Sequence, residues 1–337
     1  MATITDVAAR AGVSVATVSR TLNGKATVDP GLAARVRAAA AELGYQPNGL
    51  ARSLRKRRTA VLALIISDVA NPFFTSVARG VEDVALTAGY SVVLCNSDEN
   101  LDKERRYLDM AVEERVAGVV LSPSGESTNV GALLGRGTPV VAVDRPLPGV
   151  DQVLVNTRLA AAEATAHLIR SGYQYIGCVT GPVGIRTADD RLAGYRAALA
   201  AAGRREDYRL VRRTEYRAEG AERATAELLV AGRVDALLVA NSAQAIGVLE
   251  ALRAAGSRLG ADVGVVAFDD APWATLIDPP LTVVAQPAYE LGALAAELLL
   301  DRIRGATPEV TVRTLEARLI ERGSSCRSPD SADTARG

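Results

Sequence analysis

One histidine, three cysteines and no apolar run long enough to span a bilayer leave this 337-residue sequence short of the usual chemical tools. His167 is the lone imidazole and sits in an alanine-rich helical stretch, so a structural or exposed role is expected and acid–base chemistry that relies on histidine has no other home. Cys95, Cys178 and Cys326 are scattered without a CxxC pair, which argues against a disulfide framework and a zinc site; ordinary buried or tail thiols are expected. The longest apolar candidate, 61–66, is far below the roughly 18 residues of a membrane span and suits a buried strand. The N-terminus has no basic start followed by an apolar stretch, so no secretory signal is expected and the cytoplasm is the expected location. Also missing are a GxxxxGKS/T phosphate loop, a GxGxxG turn opening a helix, a GxSxG elbow and an acidic cluster for metal or water activation. Those absences oppose a Rossmann dehydrogenase or a nucleoside hydrolase. No enzyme activity, cofactor or metal is expected.

What is present suits a globular chain of two or three domains, with 48% hydrophobic and 23% charged residues. The net charge of zero conceals a division. Residues 1–58 hold ten Lys and Arg against three Asp and Glu, net +7, which leaves 29 basic and 36 acidic residues, net −7, in the rest. A small basic head on an acidic body predicts a polyanion partner for the head alone.

Within that head, Thr3 and Asp6 have capping-box spacing before Val7, Ala8 and Ala11, and Gly12 stops the run. Ser14 is the next N-cap candidate, for a helix over 15–22 that Asn23-Gly24 ends. Asp29-Pro30 then opens a third helix whose Leu32, Val36, Ala39 and Leu43 form a stripe ending before Gly44. Two helices joined by a glycine-containing turn make a helix-turn-helix, whose second helix lies in the DNA major groove. Val15, Ala16 and Arg20 are the outward candidates: Arg20 can bond guanine bidentately, while Val15 and Ala16 offer apolar contact to a thymine methyl. Ser14, Thr17 and Ser19 suit phosphate contacts that fix register.

The segments Thr3-Ile4-Thr5-Asp6-Val7-Ala8, Ala11-Gly12-Val13-Ser14, Thr17-Val18-Ser19-Arg20, Asn23-Gly24 and Leu43-Gly44-Tyr45-Gln46-Pro47-Asn48 resemble the lactose/galactose repressor family. Ala51-Arg52-Ser53-Leu54-Arg55 resembles that family's hinge helix, which orders on operator DNA and levers a leucine, by position Leu54, into the minor groove. The resemblance implies a DNA-facing set that includes Asn23, Ala51, Leu54 and Arg55 besides the helix-turn-helix residues. It also implies a homodimer on a pseudopalindromic operator, because two-fold protein symmetry imposes two-fold DNA symmetry.

From Thr59 onward short apolar runs alternate with helical ones: strands at 61–67, 91–95, 119–121 and 140–143 with helices at 76–89, 102–115 and 129–136 between them. A second series follows, with helices at 157–171, 191–202, 219–231 and 243–255 and strands at 176–180, 210–213, 236–240 and 263–267. Late segments at 281–285, 289–304 and 310–315 are expected to cross back and stitch the lobes. The pattern predicts an α/β fold: a small all-α helix-turn-helix domain plus a two-lobed, doubly wound parallel α/β domain. The latter resembles the type I periplasmic sugar-binding fold. The expected divisions are 1–47 DNA-binding, 48–58 hinge, 59–324 effector-binding and dimerising, and 325–337 a disordered tail without a tetramerising leucine heptad.

Ligands in open parallel sheets bind beyond the carboxyl ends of strands. The polar residues there are Asn71, with Phe73 and Phe74 beside it, then Asp144, Arg145, Arg191, Asn241, Asp269 and Gln286. Asp and Asn accept from hydroxyls, Arg donates, and an aromatic ring covers an apolar sugar face. Arg191 has a plainer role open to it as partner of Asp189 or Asp190. By resemblance to ribose-type binding proteins these residues hold a small effector, a monosaccharide such as a pentose, with Tyr216 an aromatic over it. A purine or nucleoside is the alternative, since Phe73, Phe74 and Tyr216 could stack on a planar base. A sugar-binding protein with no DNA role is the competing class, opposed by the basic head. Repression of carbohydrate genes, relieved by effector, is the expected function.

Overall fold

Short-range hydrogen bonds encoded in the sequence set the helix ends of the first unit. The computed structural model describes residues 2–22, 28–45, 59–232, 234–306 and 309–327, and the chain divides into two units, 1–59 and 60–337. Helix α1 (Ile4–Ala11) opens with a reciprocal capping box: the Asp6 amide donates to Thr3 Oγ1 (3.3 Å) and the Thr3 amide donates to Asp6 Oδ2 (2.8 Å). Helix α2 (Val15–Leu22) starts at Ser14, whose Oγ accepts from the Thr17 amide at 3.1 Å. Asp29 caps α3 (Pro30–Glu42), accepting from the Gly31 and Leu32 amides at 2.9 and 3.1 Å. Val7, Ala8, Ala11, Val18, Val36, Ala39 and Ala40 close the mini-core. The expected stripe on α3 is rotated: Ala33 and Ala40 are buried, whereas Leu32 and Leu43 are half-buried. Arg10 pairs with Glu42 at 2.7 Å and Arg35 donates to the Ala11 carbonyl, so α1 is tied to α3 by two arginines. Asn23, Ala51, Leu54, Arg55 and the expected hinge over 48–58 lie outside the described residues.

The second unit contains two six-stranded sheets. The first has the order β11-β5-β4-β3-β1-β2, built from β1 (Val61–Ile66), β2 (Ser91–Asn96), β3 (Gly118–Leu121), β4 (Val140–Val143), β5 (Asp151–Val155) and β11 (Val312–Leu315). The second runs β12-β10-β9-β8-β6-β7, from β6 (Ile176–Thr180), β7 (Val211–Arg213), β8 (Ala236–Val239), β9 (Gly264–Phe268), β10 (Thr282–Ala285) and β12 (Arg318–Ile320). Every pairing is parallel except β10 with β12. Their central strands are apolar on both faces because helices cover both sides. In the first lobe α4 (Pro72–Thr87) and α11 (Ala288–Arg304) cover one face, α5 (Leu101–Glu113) and α6 (Gly131–Gly135) the other. In the second, α7 (Thr157–Arg170) and α8 (Arg186–Ala201) oppose α9 (Ala218–Val230) and α10 (Ser242–Ala254). The chain crosses between lobes three times: after β5, after β10 and after β11. The stitching expected of the late segments is therefore present. Among the described residues no helix is long and apolar enough to cross a membrane.

Several boundaries differ from the sequence expectation. Helix α4 begins at Pro72 rather than 76, because Asn71 and Pro72 act as N-cap and first helical residue, as Asp29 and Pro30 do for α3. Helix α8 begins at Arg186, so Arg191 lies in its second turn rather than opening it. Strands β5 and β12 were not expected. The chain beyond 324 is not a tail from its first residue: Ser325 is fully buried and bonded to His167 Nε2 (2.7 Å) and Thr282 Oγ1 (2.6 Å), and Arg327 reaches Asp235 at 3.1 Å. His167 is thus a structural side chain that clasps the end of the fold. Cys95 and Cys178 are buried and Cys326 is exposed; burial pushes the Cys178 thiol up to about 12.

Helices α4 and α11 meet through glycine. A Cβ on Gly80 would strike the Tyr289 carbonyl, and one on Gly292 the Val77 carbonyl. Overpacking of this kind costs about 1–3 kcal/mol or more, which exceeds the roughly 1 kcal/mol gained from alanine's helix propensity. Gly80→Ala and Gly292→Ala should each lower the urea midpoint of unfolding by the equivalent of about 2 kcal/mol or more, whereas Gly135→Ala, which meets nothing within 4 Å, should be neutral or slightly stabilising.

Candidate functional site

Parallel strands place their carboxyl ends at one edge of each sheet, and the two edges face one another across a cavity of about 390 Å³. Asn71, Phe73, Phe74, Asp144, Arg145, Arg191, Tyr216, Asn241, Asp269 and Gln286 all line it, so the structure brings the ten expected effector residues together. It adds Asp68, Asp98, Glu99, Pro182, Thr187, Glu215 and Arg217. The strand-end rule that located the first set applies equally to Asp68 after β1 and to Asp98-Glu99 after β2.

Backbone geometry aims these groups. Asn71 and Asn241 are the N-caps of α4 and α10, where their Oδ1 atoms accept from the Phe73 amide (2.9 Å) and the Gln244 amide (2.8 Å); the Asn71 side chain also acts on Asp269. Asp144 and Asp269 adopt left-handed φ of 66° and 72° directly after β4 and β9, while their amides donate to Val153 and Val284 carbonyls of the neighbouring strands. Non-glycine residues at positive φ cost about 1–3 kcal/mol, and such strain gathers where side-chain placement matters. Asp98 and Glu99 share this conformation, at 53° and 58°.

The electrostatics are those of a closed polar cleft. Asp144, Arg145, Arg191 and Asp269 are each under 8% exposed. Gln286 Nε2 donates to Asp269 Oδ1 at 2.7 Å. The Arg191 guanidinium lies 4.3 Å over the Phe268 ring, since Asp189 pairs with Arg213 and Asp190 with Arg186. Among the described residues no hydrogen-bond partner meets the buried Arg191 Nε, Arg145 Nε or Gln286 Oε1. Buried polar atoms without partners are rare in folded proteins, so these three, with Tyr216 Oη on the same wall, point to an occupant that supplies them. Burial pushes the Asp144 and Asp269 carboxyls above the usual carboxylate range, opposed by Arg145 and Arg191 at the first and chiefly by Arg191 at the second. Arg145 is held fully charged: burial disfavours its cation, but the Glu99 carboxylate more than compensates.

Three aromatic rings complete the walls. Phe73 and Phe74 stand edge to face, centroids 5.0 Å apart at 77°, and both also belong to the first lobe's core. Tyr216 packs on the backbone of Gly181, where a Cβ would collide with its ring. Arg217 spans the mouth of the cleft from the second lobe to Asp68 (3.8 Å) and Asp98 (3.6 Å) of the first.

In the first unit, Ala16 and Arg20 are exposed one helical turn apart on α2. Val15, expected to face outward, is half-buried against the mini-core, because its position beside Val18 draws it toward α1 and α3. Ser14 serves as helix cap and its Oγ lies 2.9 Å from Thr17 Oγ1; Thr17 and Ser19 are half-buried.

A helix-turn-helix unit in one chain with a two-lobed, polar-lined cleft defines a ligand-responsive DNA-binding regulator. The model of bacterial regulatory proteins, lacI family, matches residues 3–48, and that of the periplasmic binding protein-like domain matches 165–325. The ribose operon repressor of Halalkalibacterium halodurans is 38% identical, over 90% of this chain and 91% of its own. A lac repressor dimer, solved bound to operator and the anti-inducer ONPF, has a TM-score of 0.86 at 26% identity, covering 97% of this chain and 99% of that one. A LacI-family transcriptional regulator from Enterococcus faecium with bound ribose has a TM-score of 0.72 at 28% identity, over 80% and 99%. This chain belongs to the lacI family of bacterial regulatory proteins.

A ligand whose hydroxyls donate to Asp144 and Asp269 favours their ionised forms, so binding should release protons wherever their raised pKa leaves them partly protonated. Affinity should therefore fall as pH drops through that range, by up to about tenfold per pH unit for each carboxylate. Calorimetry of a bound monosaccharide in buffers of different ionisation heat reads the released protons directly, and the trend should be lost in Asp144→Asn/Asp269→Asn.

Proposed function

We propose that this chain is a homodimeric, sequence-specific repressor of carbohydrate-utilisation genes, acting in the cytoplasm, and that a pentose bound in the interlobe cleft releases it from a pseudopalindromic operator. The observation that carries the ligand assignment is the set of buried, unpartnered donors and acceptors, Arg145 Nε, Arg191 Nε and Gln286 Oε1, between two buried carboxylates. A polyhydroxylated molecule about the size of a sugar supplies both acceptors and donors to such a lining. D-ribose is the reference ligand, in keeping with the ribose operon repressor relative and the ribose-bound neighbour. Asn71, Asp144, Arg145, Arg191, Asn241, Asp269 and Gln286 are assigned to its hydroxyls, and Phe73, Phe74 and Tyr216 to its apolar face. A purine is the lesser reading, because Phe73 and Phe74 stand edge to face rather than as parallel plates.

In the first unit, Arg20 and Ala16 are assigned to base edges and Ser14, Val15, Thr17 and Ser19 to register and support. The proposed division is 1–47 for DNA reading, 48–58 for coupling, and a ligand and dimerisation domain from 59. The cleft works by binding alone: its side chains are acceptors and donors for hydroxyls, and His167 is engaged with Ser325 instead.

Two measurements check these assignments. Arg20→Ala should cost about 1–3 kcal/mol on operator and much less on random DNA; equal losses on both would remove Arg20 from base reading. In an operator titration, D-ribose should weaken wild-type binding by about 5- to 150-fold, the usual range of coupling energies. Asp269→Ala should bind operator as wild type does while losing that response, since it leaves the ligand's donors and Gln286 unpartnered. A variant that still responds at the same ribose concentration places the effector elsewhere.

A further inference from the structure

Glu99 has no role among the hydroxyl-binding groups above, yet it makes a short, two-pronged ion pair in the cleft. Its Oε2 and Oε1 accept from Arg145 Nη1 and Nη2, both at 2.6 Å, and Nη1 donates a second time, to the Pro123 carbonyl at 3.0 Å. These bonds use three of the five N–H groups of Arg145 and leave Nε–H, 3.5 Å from Asp144 Oδ2 and without a hydrogen-bond partner among the described residues, and the second N–H of Nη2.

We propose that Glu99 sets the charge selectivity of the cleft: by balancing the charge of Arg145 and filling its end-on fork it favours uncharged polyols over phosphorylated or carboxylated ones. This rests on the reading of the cavity as a site for a small hydroxylated effector. Arginine recognises carboxylate and phosphate by presenting two parallel N–H groups to two oxygens. The end-on fork is filled here by an internal carboxylate, so a ligand meets only the Nε side of a guanidinium whose charge Glu99 already balances. The rest of the lining agrees in sign. Six carboxylates face three guanidiniums around the cavity, and the one buried arginine outside Glu99's grasp, Arg191, feels both Asp144 and Asp269. An incoming anion meets net negative charge, with the Arg145 cation already balanced by Glu99.

The Glu99 turn is built to hold this position. Glu99 follows Asp98 in the left-handed region, and Asp98 is fixed by Asn96 Nδ2 (2.8 Å) and Lys103 Nζ (2.6 Å). Asn96 Oδ1 in turn accepts from the Val69 amide at 3.0 Å, which anchors the turn to the loop after β1. Glu99 is a positioning residue that acts through Arg145, and the feature it controls is a ratio of affinities rather than affinity itself.

The test is calorimetric titration of the full-length protein, wild type, Glu99→Gln and Glu99→Asp, with D-ribose and with D-ribose 5-phosphate. Wild type should prefer the neutral sugar. Glu99→Gln removes the carboxylate that balances Arg145 and opens its end-on fork, and should shift the ratio of the two affinities toward the phosphate ester by at least about tenfold, the worth of one charge-assisted bond. Glu99→Asp keeps the carboxylate and should stay near the wild-type ratio. A parallel loss of both affinities in Glu99→Gln, with the ratio unchanged, marks Glu99 as a packing element and overturns the proposal; so does a wild-type preference for ribose 5-phosphate. Failure of the pentose assignment looks different: wild type then binds hypoxanthine and neither sugar, and the same ratio measured on hypoxanthine and inosine monophosphate decides the role of Glu99.

Discussion

Asp144, Asp269, Arg145 and Arg191 are held out of water between the lobes, and a buried charge costs several kcal/mol unless other groups replace its hydration. Much of the second unit is arranged to supply that replacement. Glu99 holds Arg145, Gln286 and the Ser242 amide lie against Asp269, and Phe268 offers its ring face to Arg191. The replacement is incomplete, which is why burial still raises both aspartate pKa values and why arginine nitrogens lack acceptors. An occupant that completes it stabilises the folded domain as it binds, through the linkage of folding to ligand concentration. Close helix contacts through Gly80 and Gly292 lie behind the first lobe's sheet edge, in the part of the core to which Phe73 and Phe74 belong. The strained, charged rim is carried by a scaffold whose stability comes from elsewhere.

How much of this was legible before the structure depended on the range of the interactions involved. Helix caps are local, so Thr3 with Asp6, Ser14, and Asp29 with Pro30 could be read directly. The Asn71-Pro72 start of α4 carries the same signature, but the apolar spacing favoured a start four residues later. Strand β5 begins Asp151-Gln152, a poor strand sequence by itself; Asp151 tolerates burial because Arg302, far along the chain on α11, grips both carboxylate oxygens at 2.6 and 2.7 Å. No window around residue 151 contains that partner. Strand β12 is three residues long and is defined by its antiparallel pairing to β10. In the cleft, polar residues after strands were visible one by one, whereas the Glu99–Arg145 pair joins loops 46 positions apart. The half-burial of Val15 likewise comes from packing against α1 and α3, which a helical projection of α2 alone does not contain.

The three crossings explain how a ligand could influence the lobes as bodies. Asn156, at the first crossing, donates its amide to the Leu315 carbonyl just before the third, so those two strands move together. The second crossing carries Gln286, which bonds Asp269 and lines the cavity, so an occupant touches the connection itself as well as both walls. At the mouth the contacts between lobes are long: Ser242 Oγ donates to Asn71 Oδ1 at 3.4 Å, and Arg217 stands 3.6–3.8 Å from Asp98 and Asp68. Bonds of that length stabilise closure weakly. A ligand can shift an opening equilibrium only by its difference in affinity for the two arrangements. A molecule that bonds Asp144 in one lobe and Asp269 in the other has such a difference by construction, because opening separates the two carboxylates, whereas one held by a single lobe has none however tightly it binds. Between the lobes, short charge-assisted bonds are therefore left to the ligand, and the direct contacts at the mouth are weak enough to be overruled.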